Sequence, residues 1–102
     1  MTATVTVISW RDIPAQVIAA RGRTRERVGL PPRFQVAIDR AAMEAGLVGT
    51  DAYLEEWRRS TRGCGDDLAE EAAAEAARID VAYDRDRLRR LVASLGNDKE
   101  QP

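Results

Sequence analysis

Residues 8–17 read ISWRDIPAQV, an Arg11-Asp12 pair set between Trp10 and Ile13-Pro14. The pair is either a charged site inside a core or a corner where the chain turns. Upstream, Val5 and Val7 alternate with Thr4 and Thr6, the period of a half-buried strand over Thr2–Trp10. Ile8 and Trp10 make both faces apolar near its end, which marks that end as central in a sheet. Downstream, Ile13 precedes a proline and is biased towards extended backbone, and Pro14 cannot donate to a ladder. Ala15–Arg21 reads as a second strand, Gly22 as a turn and Arg25–Leu30 as a third strand, together an antiparallel meander. A helix from Ile13, capped by Asp12 with Pro14 in its first turn, competes for residues 13–28. Gly22 and the β-branched pair Val17-Ile18 weigh against it. Because isolated buried charges are costly, Arg11-Asp12 is expected at a corner, with Trp10 and Ile13 inward and the pair facing water or a partner.

Pro31-Pro32 stops the sheet and the period changes. Phe34, Ile38, Ala41, Ala42 and Ala45 share one helical face, ended by Gly46. Thr50 caps a second helix with a stripe of Tyr53, Leu54 and Trp57, and Arg58, Arg59 and Arg62 suit its negative end. Gly63-Cys64-Gly65 reads as a loop. Asp66 or Asp67 starts a third helix, Asp67 and Glu70 resembling a capping box, with the narrow stripe Leu68, Ala72, Ala76 and Ile79. Asp84 caps a fourth, carrying Leu88, Leu91, Val92 and Leu95 and ended by Gly96. Residues 97–102 are expected to fray.

The 102 residues are 44% hydrophobic and 32% charged, which suits one globular domain with one core. The net charge is −1, so no global charge calls for nucleic acid or a membrane. The charges are nonetheless divided: residues 1–62 carry 10 basic against 7 acidic groups, and residues 63–102 carry 6 against 10. MTATVTVISW reads as a strand rather than a secretory leader. No segment approaches the roughly 20 apolar residues of a membrane span. With Cys64 the only cysteine, no internal disulfide forms, as suits a reducing cytoplasm.

The chain has no histidine. That removes the commonest general base and metal ligand and any Ser-His-Asp or Cys-His arrangement. Cys64 alone makes no metal or cluster site, and its reactivity depends on a lowered pKa. The acidic pairs Glu55-Glu56, Asp66-Asp67 and Glu70-Glu71 fall where helix caps and dipoles account for them. No glycine spacing matches a phosphate loop. Arg21, Arg23, Arg25, Arg27 and Arg33 form the basic stretch, with Glu26 the only acid among them. Arg21, Arg23, Arg25 and Arg27 are candidate anion-binding residues for RNA or DNA phosphates. Read plainly, they are an exposed hairpin whose charge protects a sheet edge. No aromatic interleaves with them, so base stacking is poorly served.

The runs ISWRDIPAQV, LPPRFQVAIDRAAMEAG and TDAYLEEWRR resemble the bacterial conserved virulence factor domain over residues 5–62. The later helices, with Tyr83 and Leu88-Arg89-Arg90-Leu91, are similar more loosely. In larger relatives this domain is joined to a region like the N-terminal part of iron–sulfur scaffold proteins and to HEAT-like repeats. The resemblance thus implies an interaction or scaffold role. Stand-alone versions are associated with genes for folate- and corrinoid-dependent one-carbon enzymes, which implies an accessory subunit as the alternative.

The expected fold is α+β: a three-stranded antiparallel sheet over residues 3–30 packed against about four helices over 32–95, one domain spanning 1–96. The expected function is non-catalytic and cytoplasmic, with no cofactor or metal: an adaptor that binds another protein, with homo-oligomers open. Arg11, Asp12, Arg33 and Arg58, charged residues at corners and helix ends, are the candidate contacts with that partner. Nucleic-acid binding by the hairpin arginines is the other alternative.

Overall fold

The computed structural model describes residues 2–98. The order is β1 (Thr4–Trp10), β2 (Ile13–Arg21), β3 (Thr24–Gly29), α1 (Pro32–Glu44), α2 (Asp51–Glu55), β4 (Trp57–Gly63), α3 (Leu68–Ala82) and α4 (Arg85–Ala93). The fold is α+β, with an antiparallel sheet in the order β3-β2-β1-β4. Residues 13–28 are a hairpin arm and not a helix. Gly22 turns that hairpin at φ +60°, where a side chain would be strained.

The sheet has four strands where sequence predicts three. Residues expected to extend the second helix instead form β4, which pairs with β1 from Trp10↔Trp57 to Thr4↔Gly63. The helix stops at Glu55, so Leu54 stays 65% exposed and the predicted stripe does not form. WRRSTRG carries neither period. It becomes a strand because β1, apolar on both faces at its end, offers a second edge for pairing.

Pairing of β1 with β2 shifts between Ile8 and Ser9. Ile8 faces Gln16 and Ser9 faces Pro14, which leaves Ala15 as a bulge. Pairing of β2 with β3 begins only at Gln16, so the missing N–H of Pro14 leaves no gap in that ladder.

Beyond the bulge the register separates two faces. Val5, Val7, Val17, Ala19 and Val28 share one and belong to or pack on the core. The alanine-rich α3 lies against β2 and β3 and buries Leu68, Ala72, Ala76 and Ile79. Helix α1 buries Phe34, Ala37, Ile38, Ala41 and Ala42 and packs on β2 and α4. Local caps start three helices as expected. Thr50 accepts from the Tyr53 amide, Asp67 from Glu70 and Asp84 from Arg87. No helix among the described residues is long and apolar enough to cross a membrane.

The chain past α4 is held as far as it is described. The Asp98 amide donates to the Asp12 carboxylate at 2.7 Å. Asn97 and Asp98 were expected in the frayed tail; the rest of that segment, 99–102, lies outside the described residues. Gly96 has φ +88°, and a Cβ there would lie 2.9 Å from the Trp10 ring. Gly49 has φ +79° in open space. Gly49→Ala is therefore expected to lose about 1 kcal/mol from backbone conformation alone. Gly96→Ala should lose about 1–3 kcal/mol more, because Trp10 must move. Thermal unfolding of both variants reads the difference, about 4–8 °C per kcal/mol for a domain of this size.

Candidate functional site

Arg11 and Asp12 form the two-residue connection between β1 and β2. Arg11 has φ +50°, in a region that hairpin loops usually give to glycine. Its contacts hold it there. The amide donates to Glu56 O at 2.9 Å, Nη1 donates to Leu95 O at 2.7 Å, and the guanidinium lies 5.0 Å above the Trp10 ring. Four charges alternate around the corner: Arg11–Glu56 at 3.4 Å, Glu56–Arg58 at 3.5 Å and Arg58–Asp12 at 3.4 Å. The Asp12 amide also donates to Gly96 O at 2.8 Å. The structure thus brings Arg11, Asp12 and Arg58 together, and their charges answer one another and Glu56. Arg11 and Asp12 are half-buried and turned to their own chain, where sequence expected them to face water or a partner. Arg58 keeps half its side chain exposed.

Arg33 lies apart, at the start of α1. It donates to the Asp80 carboxylate and to the carbonyls of Asp80 and Tyr83, and stacks 4.8 Å over Phe34. Helix α3 has no basic residue in its own last turn. Arg33 supplies that missing cation from α1, and Arg87 adds a bond to Ala82 O and lies 3.9 Å over Tyr83. Neither role is legible in local sequence, because the partners lie in other elements.

The hairpin arginines divide. Arg21 reaches Asp66 at 3.8 Å. Arg23, Arg25 and Arg27 are exposed and make no ion pair among the described residues. Arg25 and Arg27 sit on the sheet face opposite α3, in register with Ala20 and Ile18, and these with Thr4 and Thr6. Strand β4 adds Arg59 and Thr61 to that face, beside Ile8 and Thr6. The Thr6 and Thr61 hydroxyls bond at 2.8 Å. Arg59 is likewise unpaired among the described residues, and it is the contribution that sequence reasoning placed on a helix. Among the described residues no strand carboxylate occupies this face, since Glu26 pairs with Ala19 on the other. Ile18 is only 6% exposed, yet neither it nor Ile8 belongs to the core cluster. Arg27 is its cross-strand neighbour, and an arginine stem lying along apolar surface accounts for such cover.

A shallow depression on this face is lined by Ile8, Gln16, Trp57, Arg58 and Arg59. A second shares Gln16 and Trp57 and continues to Gly29, Leu30 and Pro31. Together they make one groove across the strands from β4 to the end of β3.

Elsewhere, Cys64 is half-buried, and burial followed by the Glu71 carboxylate raises its pKa, which disfavours the thiolate. Among the described residues no three of Cys, Asp and Glu gather as a metal site. Glu75 on α3 accepts from Arg78 at 2.9 Å and from Arg62 on β4 at 3.1 Å. The hydrogen bond from Arg78, aided by Arg62 and opposed by burial, holds its pKa below the ordinary 4.5.

Because the folded pKa of Glu75 is depressed, its stabilising contribution is complete above its unfolded value. It is lost as pH falls through the lower folded one. Urea midpoints at about pH 5 and about pH 3 should therefore fall less steeply for Glu75→Gln than for the parent. For the corner, Arg11→Ala is expected to cost about 1.5–3 kcal/mol, because charged hydrogen bonds go while the positive φ stays. Arg11→Gly should recover about 1 kcal/mol of that by relieving the backbone. Equal urea midpoints for the two variants would contradict the strained-corner account.

No curated protein and no solved structure matches the chain. One family model does, from the middle of β1 into the body of α4. Its span takes in the corner, the groove and the whole of β4. The match is to the model described as "Virulence factor", over residues 8–92, and the chain belongs to that family.

Proposed function

We propose that this virulence factor domain is a non-catalytic, cytoplasmic binding module that recognises another protein through the uncovered face of its sheet. The observation that carries the reading is that face itself: half-buried Ile8 lies outside the core cluster, and Arg25, Arg27 and Arg59 around it pair with no carboxylate among the described residues. Arginine and aromatic side chains around an apolar centre are the composition of protein interfaces. Trp57, half-buried in the groove, supplies the aromatic. Of the four contact residues expected from sequence, Arg58 borders this groove and belongs to the proposed interface. Arg11, Asp12 and Arg33 instead hold the fold. The lack of histidine and the raised pKa of Cys64 support the non-catalytic half of the reading.

A photoreactive side chain at Thr61, on the face, and another at Ala73, exposed on α3, test the proposal in the native cell. The Thr61 variant should yield a discrete protein adduct that the Ala73 variant lacks. Adducts no different from those at Ala73 would remove the face as a protein-binding site.

A further inference from the structure

We infer that the occupant of the groove is an extended acidic segment of a partner protein, with its carboxylates set at both ends of a short apolar stretch. This rests on the protein-binding reading above and adds the partner's chemistry. The groove follows one row of the sheet, Arg59–Ile8–Gln16–Gly29, read from the pairing of β4, β1, β2 and β3. Three strand spacings make that row about 14 Å long, the reach of roughly four residues of extended chain. Arg59 stands at one end, beside Arg58, whose charge Asp12 and Glu56 already answer, and Arg27, two residues from Gly29, flanks the other. Between them the lining is mixed: Ile8, Trp57, Leu30 and Pro31 are apolar, and Gln16 and Gln35 are polar. A segment with acidic residues about four or five positions apart and aliphatic residues between them meets both features at once.

A single-stranded nucleic acid satisfies only the arginines. Trp57 is the one aromatic in the β4 end of the groove, and it stands edge-on to Tyr53 at 88°, so successive bases find no stacking platform. Among the described residues, the acidic cluster that opens α3 does not serve from within. Asp66, Asp67, Glu70 and Glu71 lie at the start of α3, which covers the other face.

The test is an NMR titration of the full chain with three probes. These are a capped peptide Glu-Glu-Val-Ile-Val-Glu-Glu, the same peptide with Lys for every Glu, and a uridine oligonucleotide. The acidic peptide should shift the amides of Ile8, Gln16, Arg27 and Arg59 and bind more weakly as salt rises. The paired change Arg27→Glu with Arg59→Glu, both on exposed side chains, should weaken it by about tenfold or more. Unchanged thermal unfolding of that variant confirms that it folds. Equal binding of the acidic and basic peptides, or tighter binding of the oligonucleotide, would overturn the inference. If Thr61 crosslinks a protein while the acidic peptide fails to bind, protein recognition stands and the acidic occupant falls. If neither occurs, both fall.

Discussion

Trp10 is the side chain on which the rest of the molecule converges. It is wholly buried, its indole N–H donates to Tyr53 O at 3.0 Å, and its ring stacks on Tyr53 with centroids 5.7 Å apart. Gly96 approaches it too closely to carry a side chain. The hairpin tip, the short α2 and the chain beyond α4 thus meet around one ring. Burying an indole while satisfying its N–H is favourable only if its partners are fixed. The charges of Arg11, Asp12, Glu56 and Arg58 close over the same point. The corner therefore acts as a latch, and the strained φ of Arg11 is tolerated because so many contacts determine it.

That arrangement sets two groups of arginines apart. Arg11, Arg33, Arg62 and Arg87 answer carboxylates or helix carbonyls of their own chain and hold elements together. Arg25, Arg27 and Arg59 have no such partner among the described residues and share one sheet face. The near-neutral total conceals this division. The acidic second half of the sequence supplies α3, which covers the opposite face, so among the described residues the basic face is left without internal neutralisation. A surface of that kind gains most from a partner that brings the opposite charge.

The features legible in sequence are the local ones. Asp67 and Asp84 announce their helices because a cap bonds to an amide three residues on. Leu68, Ala72, Ala76 and Ile79 announce a buried stripe by spacing, and Thr4–Val7 announces a strand by alternation. The strand β4 escaped because nothing within WRRSTRG specifies it; its identity lies in β1, some fifty residues earlier. The hint was present in Ile8 and Trp10, which with Val5 and Val7 on the other side make β1 apolar on both faces, as a strand at the edge of a three-stranded meander does not need. Missing β4 also hid the site, since Arg59 and Trp57 complete a face of which sequence showed only Arg25 and Arg27. The partners of Arg11 and Asp12 are equally illegible: Glu56, Leu95, Gly96 and Asp98 are 45 to 86 residues away.

The latch is tested most directly by hydrogen exchange of the Trp10 indole N–H and the Arg11 and Asp12 amides, followed by NMR in the native state. If the corner holds the fold, these three protons exchange only when the whole domain opens, with the same free energy as the central amides of β1. Rapid exchange of the three while the β1 amides stay protected would show a mobile turn, and the account of Trp10 as the point of convergence would be wrong.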